Sequence, residues 1–422
     1  LQIGEKMSNK IKVLTISDHP LLSSGVGLQT KYMIEAIVDS GKFEVFSIGG
    51  AIKHPNYNTM KVTDDWRIMP VDGYGDKQKI LAVISQYKPD MLWFMTDPRY
   101  YEWLWMFEDD IRPNIPMIYY HVWDNYPYPQ YNKKLYDSND VIATISKVTS
   151  DIVQNVSPDV HEVYVPHAVP MNIFGKVSGS DKQKLLNNNP MLKDKFIFFW
   201  NNRNARRKQS GSLIHWFSEF IKQDHIDSTK VCLLMHTDTS DKHGQPLEYL
   251  AETFGMTNGE IVFSKNKLPA EELANLYNLA DCTINISDAE GFGLATLESL
   301  STETPIIVTM TGGLQEQVTD GENWFGIGIE PSSRALIGSQ QVPYIYEDRI
   351  SKEDFIDALN KIYAMPKEEL AELGRKGREH VLKNYNFEDY QSTWVNLLEE
   401  IHQKYGSWEE RKEYQAWKMV QL

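Results

Sequence analysis

Cys282-Thr283-Ile284-Asn285-Ile286-Ser287-Asp288-Ala289-Glu290-Gly291-Phe292-Gly293-Leu294-Ala295-Thr296-Leu297-Glu298 runs from an apolar stretch through a glycine-bearing turn into a helical pattern. Cys282 to Ile286 is short and apolar enough for a buried strand, and Gly293 to Ser301 reads as a helix. A strand that feeds a helix this way leaves backbone N–H groups at the helix N-terminus, where the helix dipole favours an anion such as diphosphate. Gly291 and Gly293 let the backbone approach a ligand closely. Glu290 and Glu298 stand eight residues apart. With the helix starting near Gly293, both carboxylates suit hydrogen bonds to vicinal hydroxyls of a sugar and a ribose. The plainer alternative makes Glu290 a helix cap and Glu298 a solvated helix residue.

The same strand-then-helix pattern extends in both directions. Ile11 to Ile16, Phe43 to Ile48, Met91 to Phe94, Met117 to Tyr120, Val141 to Thr144 and Val163 to Val165 read as strands, with a helix over Thr30 to Val38. The pattern fails in the polar stretch Met171 to Asp194, which contains Asn187-Asn188-Asn189-Pro190 and reads as a linker with a short helix. It restarts with strands at Phe196 to Trp200, Val231 to Met235, Ile261 to Phe263, Cys282 to Ile286 and Pro305 to Thr309, and a helix at Ala270 to Ala280. Helices follow at Glu353 to Tyr363, Lys367 to Tyr385 and Tyr390 to Tyr405, ahead of a charged, Trp-bearing tail. Strands alternating with helices imply mostly parallel sheets covered on both faces. The expectation is an α/β chain of two Rossmann-like, doubly wound domains facing a central cleft. Domain bounds are expected at 1–172 and 195–385, with a linker over 173–194 and C-terminal helices over 386–422 crossing back to the first domain.

A chain of 422 residues has room for two cores. Hydrophobic content of 41% and charged content of 24% are ordinary for a soluble globular protein. No run of about 18 apolar residues offers a bilayer span. Leu1 to Lys10 shows no basic-then-apolar leader, and the residues before Met7 read as an addition ahead of the start. Cys232 and Cys282 each lie in an apolar stretch, as buried free thiols do. A reducing, cytoplasmic location is expected. A net charge of −15 argues against broad attachment to nucleic acid or anionic lipid.

The dense basic cluster in this acidic chain is Arg203, Arg206, Arg207 and Lys208, directly after a predicted strand. Fixed cations there can stabilise the negative charge that grows on a departing diphosphate; the alternative is a solvated basic turn. Ser23-Ser24-Gly25-Val26-Gly27-Leu28 places Gly25 and Gly27 between the first strand and first helix, where they serve either a phosphate or a tight turn. His121 follows the strand Met117 to Tyr120 and can offer a sugar its ring or its carbonyl, or be structural. Asp18 ends the first strand and is an acceptor-side candidate. Among the aromatics between Trp93 and Tyr131, Trp123 and Tyr126 flank His121 and are nominated to stack on an acceptor, the rest to pack. No two aspartates stand two apart and the histidines lack ligand spacing, so no metal site is expected.

Glu290, seven residues and then Glu298, with Gly-Phe-Gly-Leu inside, resembles the signature of the retaining GT-B glycosyltransferases of family 4, the glycosyl transferases group 1. Arg203 and Lys208 match that family's Arg-to-Lys spacing of five, although Asn202 stands where the family has Gly. Ala143 to Ser146 and Thr311-Gly312-Gly313-Leu314-Gln315-Glu316 also resemble family elements, in the family's order. Val165-Pro166-His167-Ala168-Val169-Pro170 departs from its Pro-Asn-Gly-Val-Asp, which leaves His167 without an inherited role. The resemblance implies a nucleoside-diphosphate sugar as co-substrate, UDP-linked by preference or GDP-linked, with no cofactor or metal required. Glu290 would contact the donor sugar and Glu298 the ribose. The backbone of Gly291, Phe292, Gly293 and Leu294 would hold sugar and diphosphate, and Arg203 and Lys208 the diphosphate. Gly25 and Gly27 would close over the donor, and His121 would lie near its sugar. The 195–385 domain would then bind donor and the 1–172 domain the acceptor: a carbohydrate, a small molecule or a modified nucleic acid. Rival readings are a transferase acting on modified bases of viral DNA, a phosphorylase or sugar-phosphate synthase, and a non-catalytic nucleotide-sugar-binding protein.

Overall fold

The computed structural model describes residues 10–414; the residues before Met7 and the end of the Trp-bearing tail lie outside them. The chain forms two compact units. One takes the chain to His167 and again from Glu388, and the other is Ala168–Phe387.

Eight strands build the sheet of the first unit: β1 (Ile11–Asp18), β2 (Phe43–Gly50), β3 (Met60–Lys61), β4 (Trp66–Pro70), β5 (Met91–Met95), β6 (Met117–His121), β7 (Val141–Thr144) and β8 (His161–Tyr164). Their order is β3-β4-β2-β1-β5-β6-β7-β8. All neighbours are parallel except β3 and β4. Continuous apolar runs such as Met91-Leu92-Trp93-Phe94-Met95 form its centre because helices cover both faces, so every side chain in that strand is buried. The helix α1 (Gly25–Asp39) follows β1, and α2 (Lys77–Tyr87) precedes β5. The helix Phe387–Tyr405 returns to this unit. Its Trp394 packs edge-on against Trp93 and Tyr120, and its Tyr390 hydroxyl donates to the Gln29 carbonyl at 3.1 Å.

In the second unit β9 (Phe196–Asn201), β10 (Val231–His236), β11 (Ile261–Ser264), β12 (Cys282–Asn285), β13 (Ile306–Thr309) and β14 (Gly326–Ile329) form a parallel sheet ordered β11-β10-β9-β12-β13-β14. An antiparallel hairpin, β15 (Ser333–Ile337) and β16 (Ile345–Arg349), follows. Helices α3 (Ser210–Phe220), α4 (Ala270–Leu279), α5 (Leu294–Ser301) and α6 (Lys367–Asn384) cover it. Cys232 and Cys282 are buried, free thiols of the central strands.

The polar stretch expected as a linker over 173–194 belongs to this second unit. Its helix Gly179–Asn188 buries no residue, which explains its linker-like composition. The chain before that helix is nevertheless fastened, since Val177 donates to the Asn278 side chain and Asn278 donates to the Gly175 carbonyl, each at 2.9 Å.

In both sheets the chain winds outward one way and then the other, with the reversal between β1 and β5 in the first and between β9 and β12 in the second. Open parallel sheets bind ligands outside the carboxyl ends of strands at such reversals. No helix among the described residues is long and apolar enough to cross a membrane.

Candidate functional site

The loops after β9 and β12 carry the two motifs. After β9, Asn201 to Ala205 runs into a short turn at Arg206–Lys208, and Gln209 takes a left-handed backbone (φ 54°) that starts α3. Asn204 shapes this loop, accepting from Ser210 Oγ at 2.9 Å and donating to the Gln245 carbonyl at 2.7 Å. After β12, the chain turns through Asp288 to Gly293, and Gly293 caps α5 with φ 94°, a conformation that L side chains rarely adopt. Gly313 is needed for a different reason. A Cβ there would stand 2.7 Å from both the Gly291 carbonyl oxygen and Phe292 Cα, so it lets the following loop lie against the turn.

Lys208 Nζ donates to Glu290 Oε2, with both side chains nearly enclosed. Asn285 Nδ2 donates to the same oxygen at 3.3 Å, and Arg207 donates to the Ala289 carbonyl. Burial alone would raise the Glu290 carboxyl, but the charges of Lys208 and Arg207 and the bonds from Lys208 and Asn285 hold it below the usual range. Glu298, buried in α5, accepts from the Tyr277 hydroxyl of α4 at 2.7 Å, and that hydroxyl accepts from Asn201 Nδ2 at 2.8 Å. Among the described residues no cation acts on it, and burial pushes its carboxyl up to about 7 in spite of the Tyr277 bond. Asp288 is also raised by burial, to about 6, although Gln209 donates to it at 2.7 Å. The hairpin closes the far side: Asp348 N donates to the Asp288 carbonyl at 2.9 Å, and Glu347 binds both Arg206 and Arg349.

The structure therefore gathers Lys208, Glu290, Gly291, Phe292, Gly293 and Leu294 at one sheet reversal, with Glu298 one helical turn inside. Arg203 is placed elsewhere. Its side chain is 62% exposed and donates to Asp241 at 2.7 Å, while Arg207 lies near Glu290. Glu316 is a packing residue, buried and bound by the Tyr385 hydroxyl.

Three nominations in the first unit change. Gly25 and Gly27 are not in a loop but in the first turn of α1, whose cap Ser24 accepts from Gly27 N and donates to Asp18 at 2.6 Å. That helix N-terminus already faces a carboxylate. Gly27 is small for packing, because a Cβ would meet the His19 carbonyl oxygen at 2.9 Å. His121 is wholly buried. Its Nε2 pairs with the Tyr136 hydroxyl at 2.7 Å, its Nδ1 has no partner among the described residues, and burial lowers its pKa to about 3. The ring makes an internal bond, and burial keeps the imidazole neutral. Trp123 is likewise buried, with Nε1 donating to the Asn125 carbonyl at 2.9 Å, so its face is not offered for stacking. Tyr126 is partly exposed and donates to Asp151 at 2.6 Å. His167 is buried against the Tyr120 hydroxyl at 2.8 Å.

Sequence reading passed over Asn201, Tyr277, Asn285, Asp288 and Glu347. Asn285 and Asp288 lie inside or beside the quoted motif and were within reach. Tyr277 and Glu347 reach the site from α4 and from a hairpin, and nothing in their local sequence marks them. Among the described residues no group of three or more His, Cys, Asp or Glu side chains is arranged to hold a metal ion.

Residues 181–380 match the family described as glycosyl transferases group 1. Two curated relatives are both D-inositol 3-phosphate glycosyltransferases. The one from Corynebacterium urealyticum is 42% identical over 77 residues, 18% of each chain. The one from Corynebacterium jeikeium is 30% identical over 144 residues, 31% of this chain and 33% of that one. The matched stretches thus span a third or less of those relatives' length. Over the whole fold, a sucrose-phosphate synthase from Thermosynechococcus elongatus superposes with a TM-score of 0.73 at 18% identity, covering 93% of this chain and all of that one. A structure from Anabaena in complex with UDP and glucose gives 0.67 at 14% identity, covering 92% of this chain and all of that one. The chain has the GT-B fold, and residues 181–380 of its second unit match the glycosyl transferases group 1 family.

Proposed function

We propose that the chain is a glycosyltransferase that moves a sugar from a UDP- or GDP-linked donor to an acceptor hydroxyl, with retention at the anomeric carbon and without a metal ion. The observation that carries this reading is the Lys208–Glu290 pair, set beside the glycine turn where the strand order of the second sheet reverses. A donor diphosphate lying on the N–H groups of the Gly291–Leu294 turn would meet Lys208 and Arg207 as the charges that stabilise it while the glycosidic bond breaks. Arg203 would add a third by turning from Asp241. Glu290 is kept ionised, and so kept an acceptor, for the hydroxyls of the donor sugar. Glu298 would take those of the ribose. The first unit would supply the acceptor surface, with His121 acting through the packing around Tyr136. Retention and freedom from metal rest on the family likeness and on these protein cations, respectively.

A thermal-shift and turnover screen across UDP-, GDP- and ADP-sugars tests the reading, because a ligand of the folded state raises its melting temperature. One donor class should stabilise the chain, and EDTA should leave turnover unchanged. The anomeric proton coupling of the product should match that of the donor sugar. No shift with any donor at millimolar concentration sinks the proposal.

A further inference from the structure

The reversal point of the first sheet is furnished unlike that of the second. Asp18, at the end of β1, is buried and accepts from Ser24 at 2.6 Å and from the Tyr74 hydroxyl at 2.7 Å. Across the reversal, the loop after β5 holds Asp97, Arg99 and Tyr100. The Tyr100 ring is 51% exposed and lies 5.3 Å from the ring of Tyr74. Trp103 continues the surface, donating to the Tyr100 carbonyl at 2.8 Å, and lines an open groove with Gly75, Asp76, Lys77, Met106 and Phe107. On the other side of Asp18, His19, His54 and Tyr57 form a second run of ring contacts, and the Tyr57 hydroxyl donates to Asp72 at 2.6 Å.

The charges decide what such a surface can take. Arg99 is held by Asp97 in a two-pronged pair, and Lys77 is held by Asp110. His19 is shifted towards its neutral form by burial and by His54. Lys79 is likewise paired with Asp76, and Lys53 is exposed on the loop after β2. The N-terminus of α1, the natural anion seat, faces Asp18 instead. A phosphate brought here would compete with a carboxylate for each of Arg99, Lys77 and Lys79, beside the buried carboxylate of Asp18. The C–H face of a neutral pyranose suits an exposed aromatic ring, and its hydroxyls suit carboxylates.

We infer that the rim around Asp18, Tyr74 and Tyr100 binds an uncharged carbohydrate, a glycoside or glycan without phosphate, as the acceptor. Its role as acceptor rests on the donor reading above; the binding of a neutral glycan there does not. Tyr100 supplies the stacking face, while Asp18 accepts from sugar hydroxyls and holds Tyr74 in place. This separates the chain from its curated relatives, whose names specify an inositol phosphate.

Saturation-transfer NMR on the full chain tests it, with methyl glucosides, methyl mannosides, methyl galactosides, maltose and cellobiose set against D-inositol 3-phosphate and glucose 6-phosphate. At least one neutral glycoside should bind through its ring protons. Tyr100→Ala should weaken that binding tenfold or more, and Tyr100→Phe, which keeps the ring, should retain it. Because Tyr100 is exposed, both variants should fold, and their melting temperatures check this. Binding of the phosphorylated compounds in preference to every neutral one overturns the inference, as does neutral binding that Tyr100→Ala leaves unchanged. So does vesicle binding through this rim in place of glycan binding. Donor binding, read separately from the thermal shift with UDP-glucose, shows whether the donor reading has failed on its own.

Discussion

The two sheet reversals occupy equivalent places in two similar units, yet their chemistry is opposite. At the second, Lys208 and Arg207 press on Glu290, and Glu347 holds Arg206 and Arg349, so positive charge is concentrated and balanced by carboxylates. At the first, Asp18 stands at the helix N-terminus among tyrosines, and the nearby Arg99 and Lys77 are tied to aspartates. On the donor and acceptor readings proposed above, the same topology would offer one crevice to an anion and another to hydroxyls. A winding rule locates a site; the side chains at strand ends decide what enters it.

The largest effect is expected from removing the cation of the second crevice. Lys208→Met should lower turnover by about 100-fold or more, the scale of losing one charge-stabilising group in a transition state. It also strands a nearly enclosed carboxylate, so the melting temperature should fall. Lys208→Met combined with Glu290→Gln should recover stability without recovering turnover. If the double variant recovers both, the pair is structural and the contrast between the crevices fails as a functional statement.

Crowding the turn comes next. Gly313 has an ordinary helical backbone, so Gly313→Ala is strained only by the Cβ that meets the Gly291 carbonyl and Phe292. The backbone of the turn must shift to clear it, and KM for the donor should rise about tenfold, consistent with the sensitivity of bound geometry to small displacements. An unchanged KM would mean that the donor does not lie on this turn.

A smaller effect concerns Glu298, whose burial raises its carboxyl to about 7 with no cation acting on it among the described residues. The folded-state value lies above that of the unfolded chain, so the stability tied to the neutral form is present below the unfolded pKa. It is lost as pH rises through about 7. The free protein should therefore melt lower at pH 8 than at pH 6, by an increment that Glu298→Gln abolishes. Donor affinity should run the other way, strengthening up to about pH 7 as the carboxylate becomes available to ribose hydroxyls. Matching melting profiles for wild type and Glu298→Gln would place the titrating group elsewhere.

How legible these crevices were follows from what makes each. The sheets announced themselves because buried parallel strands are continuous apolar runs, as in Phe196 to Trp200. By contrast β4, with Arg67 and Pro70 among its five residues, and the polar hairpin β15–β16 gave no such signal. The glycine turn was readable from its place between a strand and a helix, and Glu290 and Lys208 through the spacing that resembles the family's. His121 and Trp123 misled for the converse reason. Position at a strand end says that a residue reaches the rim, but whether its ring faces solvent depends on Tyr136, Thr149 and other distant packing partners. Tyr100 and Tyr74 were two aromatics among many until the fold set them beside Asp18.

The smallest expected effect bears on Arg203, the residue that sequence placed at the diphosphate and the structure places on Asp241. That pair is exposed on the arginine side, and exposed pairs contribute about 0–1 kcal/mol. If Arg203 turns to the donor on binding, breaking the pair costs donor affinity no more than that amount. Asp241→Asn, which removes the competing charge, should then tighten donor binding by up to about fivefold. Arg203→Ala should weaken binding, and in its presence Asp241→Asn should have no further effect, since the two changes act through one contact. Independent, additive effects would mean that Asp241 touches the donor site by another route. If neither change moves donor affinity, Arg203 is a surface residue, and Lys208 with Arg207 carries the anion site.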